Sequence, residues 1–488
     1  MRNRNRRFTI CHLVGKFVVL LICLAWLVLA SGCGSSMQQP APKPVLTGTT
    51  NLVVQMASTS NGHNTGFEMT LSNVSLIDES GKVVVLISTP QKAEFSHVNG
   101  GATPFPTVSV PQGVYPSVSV TYSDALFEFL TPATPSQGVG TDIFQVSLGP
   151  QKATVELAAP ITVSGKAMGL TLDLQESRSA SCVCDGVSNS FSITPVFKAL
   201  PFQIAAQPTN EQNGKITGLS GRINAVDAGS TNITLNVNNG FSFPTSPNGP
   251  NLQLALDDAT AYQGVAGAAS LVPGEFMEAD VAVQSDGSLR ATRVEVRDPQ
   301  ALNTMIGPVI VSSSLAPEFV QEGIQQQGDD LSVNPISSST YAYSASTVFQ
   351  TSGRVVLPAD LPFTASFDAS SLALGQNVAV NFIQQSFTGA SRTQADALTL
   401  MPQTLNGTVS SVTTSGAYTV YQSNLQAGDP VVATSGKSTV TVYVNGATQM
   451  LNSGAISAGS VVRFNGLLFD DAGTFRMYAA KVNDGVTN

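Results

Sequence analysis

From residue 206 onward the chain repeats one order of features three times, and no other feature narrows the fold as far. Each copy opens with a glycine ahead of an apolar strand, at Gly221, Gly307 and Gly407. Each carries a mid-segment threonine with a bulky residue two places on: Thr260 and Tyr262, Thr347 and Phe349, Thr448 and Met450. Each then places a turn glycine before a further apolar strand, at Gly274, Gly375 and Gly459, and closes on an alanine-led strand at Ala291, Ala395 and Ala479. The turn glycines lie 101 and 84 residues apart. A unit of that size with five or six short strands suits a small closed barrel.

This order resembles the bacterial envelope family called domain of unknown function 5666, which implies barrels of the oligonucleotide/oligosaccharide-binding (OB) type. The second copy departs from it. It lacks the Asp/Gly hairpin before its last strand and gains residues 316–327, whose Phe319, Ile324 and Glu/Gln-rich spacing predict a short helix.

Ahead of the repeats, residues 51–205 alternate apolar and polar in short runs. Examples are Phe67 to Leu71, Val118 to Tyr122 and Leu170 to Leu174, with turn residues such as Asp78 and Gly81 between runs. Such runs indicate an Ig-like β-sandwich. The stretch Val110-Pro111-Gln112-Gly113-Val114-Tyr115 before a strand resembles the envelope family called domain of unknown function 4382. That family has no established activity to carry over. The expected fold is therefore all-β: a sandwich at 51–205, then barrels at 206–298, 299–402 (divergent) and 403–488.

The N-terminus says where such a protein works. Arg2, Arg4, Arg6, Arg7 and Lys16 precede an uninterrupted apolar run at 17–30, and small residues then lead into Cys33. The run is shorter than the roughly 20 residues needed to cross a bilayer. The ending fits a lipoprotein signal better than an Ala-x-Ala secretory site. The expectation is a signal peptide at 1–32, acylation of Cys33 and a Pro- and Ser-rich tether at 33–50. Gly34, where an Asp would favour inner-membrane retention, points to the outer membrane of the cell envelope. The main expected partner is that membrane, through the lipid anchor.

Removing residues 1–32 leaves 18 Lys+Arg against 32 Asp+Glu, a net charge of −14. An acidic chain argues against nucleic acid as a partner. Charged residues are 11% of the sequence, where about 25% is usual. With Val-rich alternation, this reads as an extracellular-type β protein.

No catalytic set emerges. Beyond the signal there are two histidines, His63 and His97, and both read as surface residues. Gly436-Lys437-Ser438 lacks the upstream glycine and following helix of a phosphate loop. The acidic pairs Asp257-Asp258, Asp329-Asp330 and Asp470-Asp471 lack calcium-loop spacing and read as turns. Aromatic platforms are thin: Trp26, in the signal, is the one tryptophan, and Tyr341, Tyr343, Tyr418 and Tyr421 are scattered. Cys182 and Cys184 are expected to form a small disulfide in an oxidising compartment, with a thiolate metal site or two inert thiols as alternatives. No cofactor and no metal is expected. The leading reading is a non-enzymatic envelope lipoprotein acting in binding or scaffolding, with an envelope protein or glycan as its further partner. The alternatives are a glycan-binding module and a hydrolase with an unrecognised carboxylate site.

Overall fold

A computed structural model describes residues 46–59, 64–95, 102–134, 138–146, 149–183, 190–237, 250–296, 303–312, 316–323, 325–328, 337–382, 393–426, 429–451 and 455–484. The chain is all-β. Its N-terminal part is a sandwich of two six-stranded sheets. In one sheet, Thr49–Thr59 runs parallel to Ala167–Gln175, which pairs antiparallel with Val196–Phe202. In the other, Asn64–Ile77 and Ser117–Thr134 form a long antiparallel pair. Leu52, Val54 and Met56 face Phe67, Met69 and Leu71 across the interior, as alternation requires. The opposite face of the first sheet is also covered, since Val53 packs into the hydrophobic core of the first barrel. In the Val110–Tyr115 stretch, the Tyr115 hydroxyl donates to the carbonyl of Pro111 at 2.7 Å and closes the loop on itself.

Three five-stranded barrels follow, with one topology. The first uses Lys215–Val226, Asn232–Val237, Asn251–Ala255, Phe276–Val283 and Leu289–Val296. The second uses Asn303–Ser312, Glu318–Gly323, Ser337–Ala342, Asn377–Phe382 and Thr393–Leu400. The third uses Gln403–Ser415, Tyr418–Leu425, Thr439–Val444, Val461–Asp471 and Thr474–Asp484. In each, the first strand pairs with the second and fourth, and the third strand runs parallel to the fifth, which closes the barrel and removes its edges. This is the OB-like connectivity.

The residues that define the repeat close each barrel. Thr260, Thr347 and Thr448 donate their hydroxyls to the carbonyls of Ala291, Ala395 and Ala479, at 2.9, 2.8 and 2.8 Å. The same hydroxyls accept from the backbone N–H three residues earlier, at Asp257, Ser344 and Asn445. Each threonine thereby locks a turn onto the fifth strand, and a short strand parallel to the fifth follows it. The turn glycines Gly274, Gly375 and Gly459 have φ of +99°, +84° and +93°. Their N–H groups donate to the first-strand carbonyls of Ile223, Val309 and Val409, all at 2.8 Å. A left-handed residue is needed there, and glycine adopts it without steric cost.

One expectation is overturned. The described residues of 316–327 contain no helix; Glu318–Gly323 is the second strand of the second barrel, and Gln325–Gly328 pairs with the start of the first. Phe319 and Gln321 point inward with period two. Phe319 stacks on Tyr341 at 5.6 Å, and the fully buried Gln321 donates its amide N–H groups to the carbonyls of Gly307 and Val378. The polar spacing that imitated a helix is a glutamine serving the barrel interior. Ile324 lies outside the described residues.

Candidate functional site

Several residues singled out from the sequence, namely Cys33, His63, His97, Cys184, Asp329 and Asp330, lie outside the described residues. Cys182 sits in strand Ala180–Val183, paired with Phe191. Asp257 pairs with Arg290 at 3.1 Å and accepts from the Ala259 N–H; Asp471 pairs with Arg476 at 2.6 Å, so both serve turns. Gly436 ends a short helix, and Lys437 lies 4.2 Å over the ring of Phe475. Tyr341, Tyr418 and Tyr421 are buried in hydrophobic clusters. Among the described residues, no group of three or more His, Cys, Asp or Glu could hold a metal ion, and no helix is long and apolar enough to cross a membrane.

Two constellations that sequence reasoning missed join the modules. The first is a polar junction where the outer face of the sandwich meets the first and third barrels. Gln55 and Thr171 are register partners on the parallel strands, and the Gln55 amide donates to the Thr171 hydroxyl at 2.8 Å and to the Glu211 carbonyl at 3.2 Å. Asn210 caps the turn Glu211–Asn213 through its side chain, which holds Glu211 in place. From the third barrel, Lys481 pairs with the Glu211 carboxylate, and the Arg463 guanidinium donates to the Ser58 carbonyl. Burial pushes the Asp173 carboxyl up to about 6, against the opposing pull of Arg463 and the bond from Gln175. Burial also lowers the Arg463 pKa, while Glu176, Asp173 and Glu211 hold its charge in place. Nearby, the hairpin at Asp286 and Gly287 docks on the sandwich through Asn51 and Thr107.

The second constellation is a strap. In the first and third barrels, 12 and 9 residues connect the short parallel strand to the fourth strand; in the second, residues 352–376 make a 25-residue connection. Long connections without regular structure are uncommon inside compact domains. This one touches both neighbouring barrels. Arg354 pairs with the buried Glu278 of the first barrel. Further along, Phe363 enters an aromatic groove on the third barrel, 4.8 Å from the ring of Tyr443 and 5.8 Å from Phe469. Tyr418 donates to Asp360 at 2.7 Å, and burial with that acidic neighbour pushes its phenol up to about 12. On the groove rim, Tyr478 donates to Asn445 at 3.2 Å, and Arg476 donates to the Tyr443 hydroxyl at 2.6 Å. At the far end, Gln376 donates to the Leu468 carbonyl at 3.0 Å. The 101-residue gap between the first two turn glycines was the one sequence sign of this insertion.

Residues 220–295, which span nearly all of the first barrel's strands, match the family described as Domain of unknown function (DUF5666). A search of curated proteins finds no match. Among solved structures, a Cu(II)-bound CusF variant from Escherichia coli aligns with 20% of this chain and 100% of its own, at 13% identity and a TM-score of 0.14. At that identity and score the alignment carries no argument about ligands of this chain.

Proposed function

We propose that the chain is a membrane-tethered, non-enzymatic lipoprotein of the bacterial envelope that works by binding or scaffolding. The observation that carries this reading is the way the β modules are joined. The polar junction and the Arg354–Glu278 pair hold modules to one another through buried charge, as a scaffolding or ligand-presenting body requires. The repeat residues point the same way, since Thr260, Thr347 and Thr448 are engaged in closing barrels. The lipoprotein part rests on the basic, apolar and small-residue order that ends at Cys33. Two or three acyl chains anchor stably, at about 0.8 kcal/mol per buried methylene.

The test is intact mass and membrane fractionation of the full chain and of Cys33→Ala in a bacterial host. Acylated, membrane-bound wild type with an unprocessed or detached variant supports the anchor. Unmodified wild type in the medium overturns it. Turnover of esters, peptides or glycans that a point substitution abolishes would overturn the non-enzymatic reading.

A further inference from the structure

We propose that the aromatic groove of the third barrel is a binding site for an extended segment of a partner protein, and that residues 356–367 are its resident, displaceable occupant. The inference deepens the binding reading above and is independent of the lipid anchor.

The strap lies in the groove as a bound peptide would. Leu361, Phe363, Ala365 and Phe367 turn towards the protein, while Pro362, Thr364 and Ser366 are exposed. That is the period-two alternation of an extended chain. Among the described residues, residues 356–367 make no backbone–backbone hydrogen bond with a strand. Pro358 and Pro362 lack the N–H that joining a sheet would need. Recognition is therefore by side chains: a phenylalanine ring against Tyr443 and Phe469, and a carboxylate three residues earlier accepting from Tyr418. Tilted ring contacts with a hydroxyl at the groove margin suit an apolar segment that carries one acid.

The occupant is also built to leave. The equivalent connection closes the first barrel with 12 residues and the third with 9, so barrel closure does not need these residues. The strap's ends are held by separate contacts. Arg354 pairs with Glu278 on one side; on the other, Leu372 is buried in the hydrophobic cluster that the second and third barrels share. The stretch between them can lift while both ends stay fixed, and Val356 is already 85% exposed. An intramolecular occupant competes at an effective concentration near the millimolar range, so it lowers the apparent affinity of any rival segment. The partner that fits is an extended, proline-containing segment with apolar residues at alternate positions and an acid three residues before an aromatic.

The test uses the full chain and a fluorescent synthetic peptide of residues 356–367. Asp360→Ala combined with Phe363→Ala empties the groove of its two anchors. The peptide is expected to bind this variant at least tenfold more tightly than wild type, and Tyr443→Ala in the same background is expected to remove the gain. No saturable binding to either protein, equal binding to both, or binding indifferent to Tyr443→Ala would overturn the proposal. Should the variant misfold, limited proteolysis of wild type decides. Faster cleavage within 356–367 with excess peptide supports displacement, and unchanged cleavage overturns it. A wild-type dimer that disappears in the double variant would assign the groove to a second copy and overturn the partner reading.

Discussion

The hydroxyl of Thr448 donates to the carbonyl of Ala479 at 2.8 Å, and the equivalent bond recurs in the first and second barrels. One side chain thereby couples a turn to the strand that closes the barrel. Valine has nearly the same shape and cannot donate. Thr448→Val is expected to lower stability by about 1–2 kcal/mol, because a buried acceptor loses its donor. Thr448→Ser should retain most of it. Chemical denaturation of the full chain measures both. A valine variant as stable as wild type would mean that the bond contributes nothing.

The threonine also explains why so much of the fold is legible in the sequence. Thr448, Gly459 and Ala479 answer geometric demands made at fixed places in every copy, so the pattern survives where surrounding residues drift. Apolar alternation marked the sandwich for the same reason. Residues 316–327 misled because a buried glutamine imitates a solvent-facing one in a linear pattern; what distinguishes Gln321 is the pair of carbonyls it reaches. The groove and the junction were illegible for a related reason. Arg463 and Ser58 are 405 positions apart, and Phe363 meets Tyr443 across a module boundary. Neither contact leaves a local period.

First-strand glycines offer a sharper test of packing. A Cβ on Gly221 would lie 2.2 Å from the Asn236 carbonyl oxygen, and one on Gly407 would lie 2.7 Å from the Asn424 carbonyl oxygen. Both neighbours are backbone of the second strand, which cannot rotate away. Gly221→Ala is expected to cost about 1–3 kcal/mol, the usual range for overpacking. Thermal unfolding reads this, and an unchanged midpoint would show that the strands separate freely.

At the polar junction, Lys481 and Glu211 are nearly buried partners from different modules. Removing one leaves the other charged in a poorly hydrated place. Lys481→Met is expected to destabilise by roughly 3–5 kcal/mol, as for other broken buried pairs. Because Glu211 sits on the turn that leads into the first barrel, limited proteolysis should cut the variant faster within residues 205–214. Unchanged cleavage would place the docking energy elsewhere.

Two buried carboxyls set the pH response. Burial pushes Asp429 up to about 7, against the hydrogen bond it accepts from the Val431 N–H, and Asp173 up to about 6. The folded chain therefore holds protons that the unfolded chain releases near pH 4. Their contribution is fully present below that value and is lost as pH rises through about 6 and then about 7. Turn acids behave oppositely. Asp227, held near 2 by Asn232 and Thr231, contributes stability that is lost only on stronger acidification. Between pH 8 and pH 5 the turn acids stay ionised, so the melting temperature is expected to rise on acidification. Asp429→Asn isolates the effect. Asparagine caps the helix at Pro430–Ser435 as well as aspartate does, and it carries no charge to desolvate. The variant should be more stable than wild type at pH 8, by an amount on the order of a few kcal/mol, and the gap should narrow on acidification and close below about pH 4, where Asp429 is protonated in the folded and the unfolded chain alike. A variant less stable than wild type at pH 8 would show that the ionised Asp429 carboxylate is stabilised where it sits.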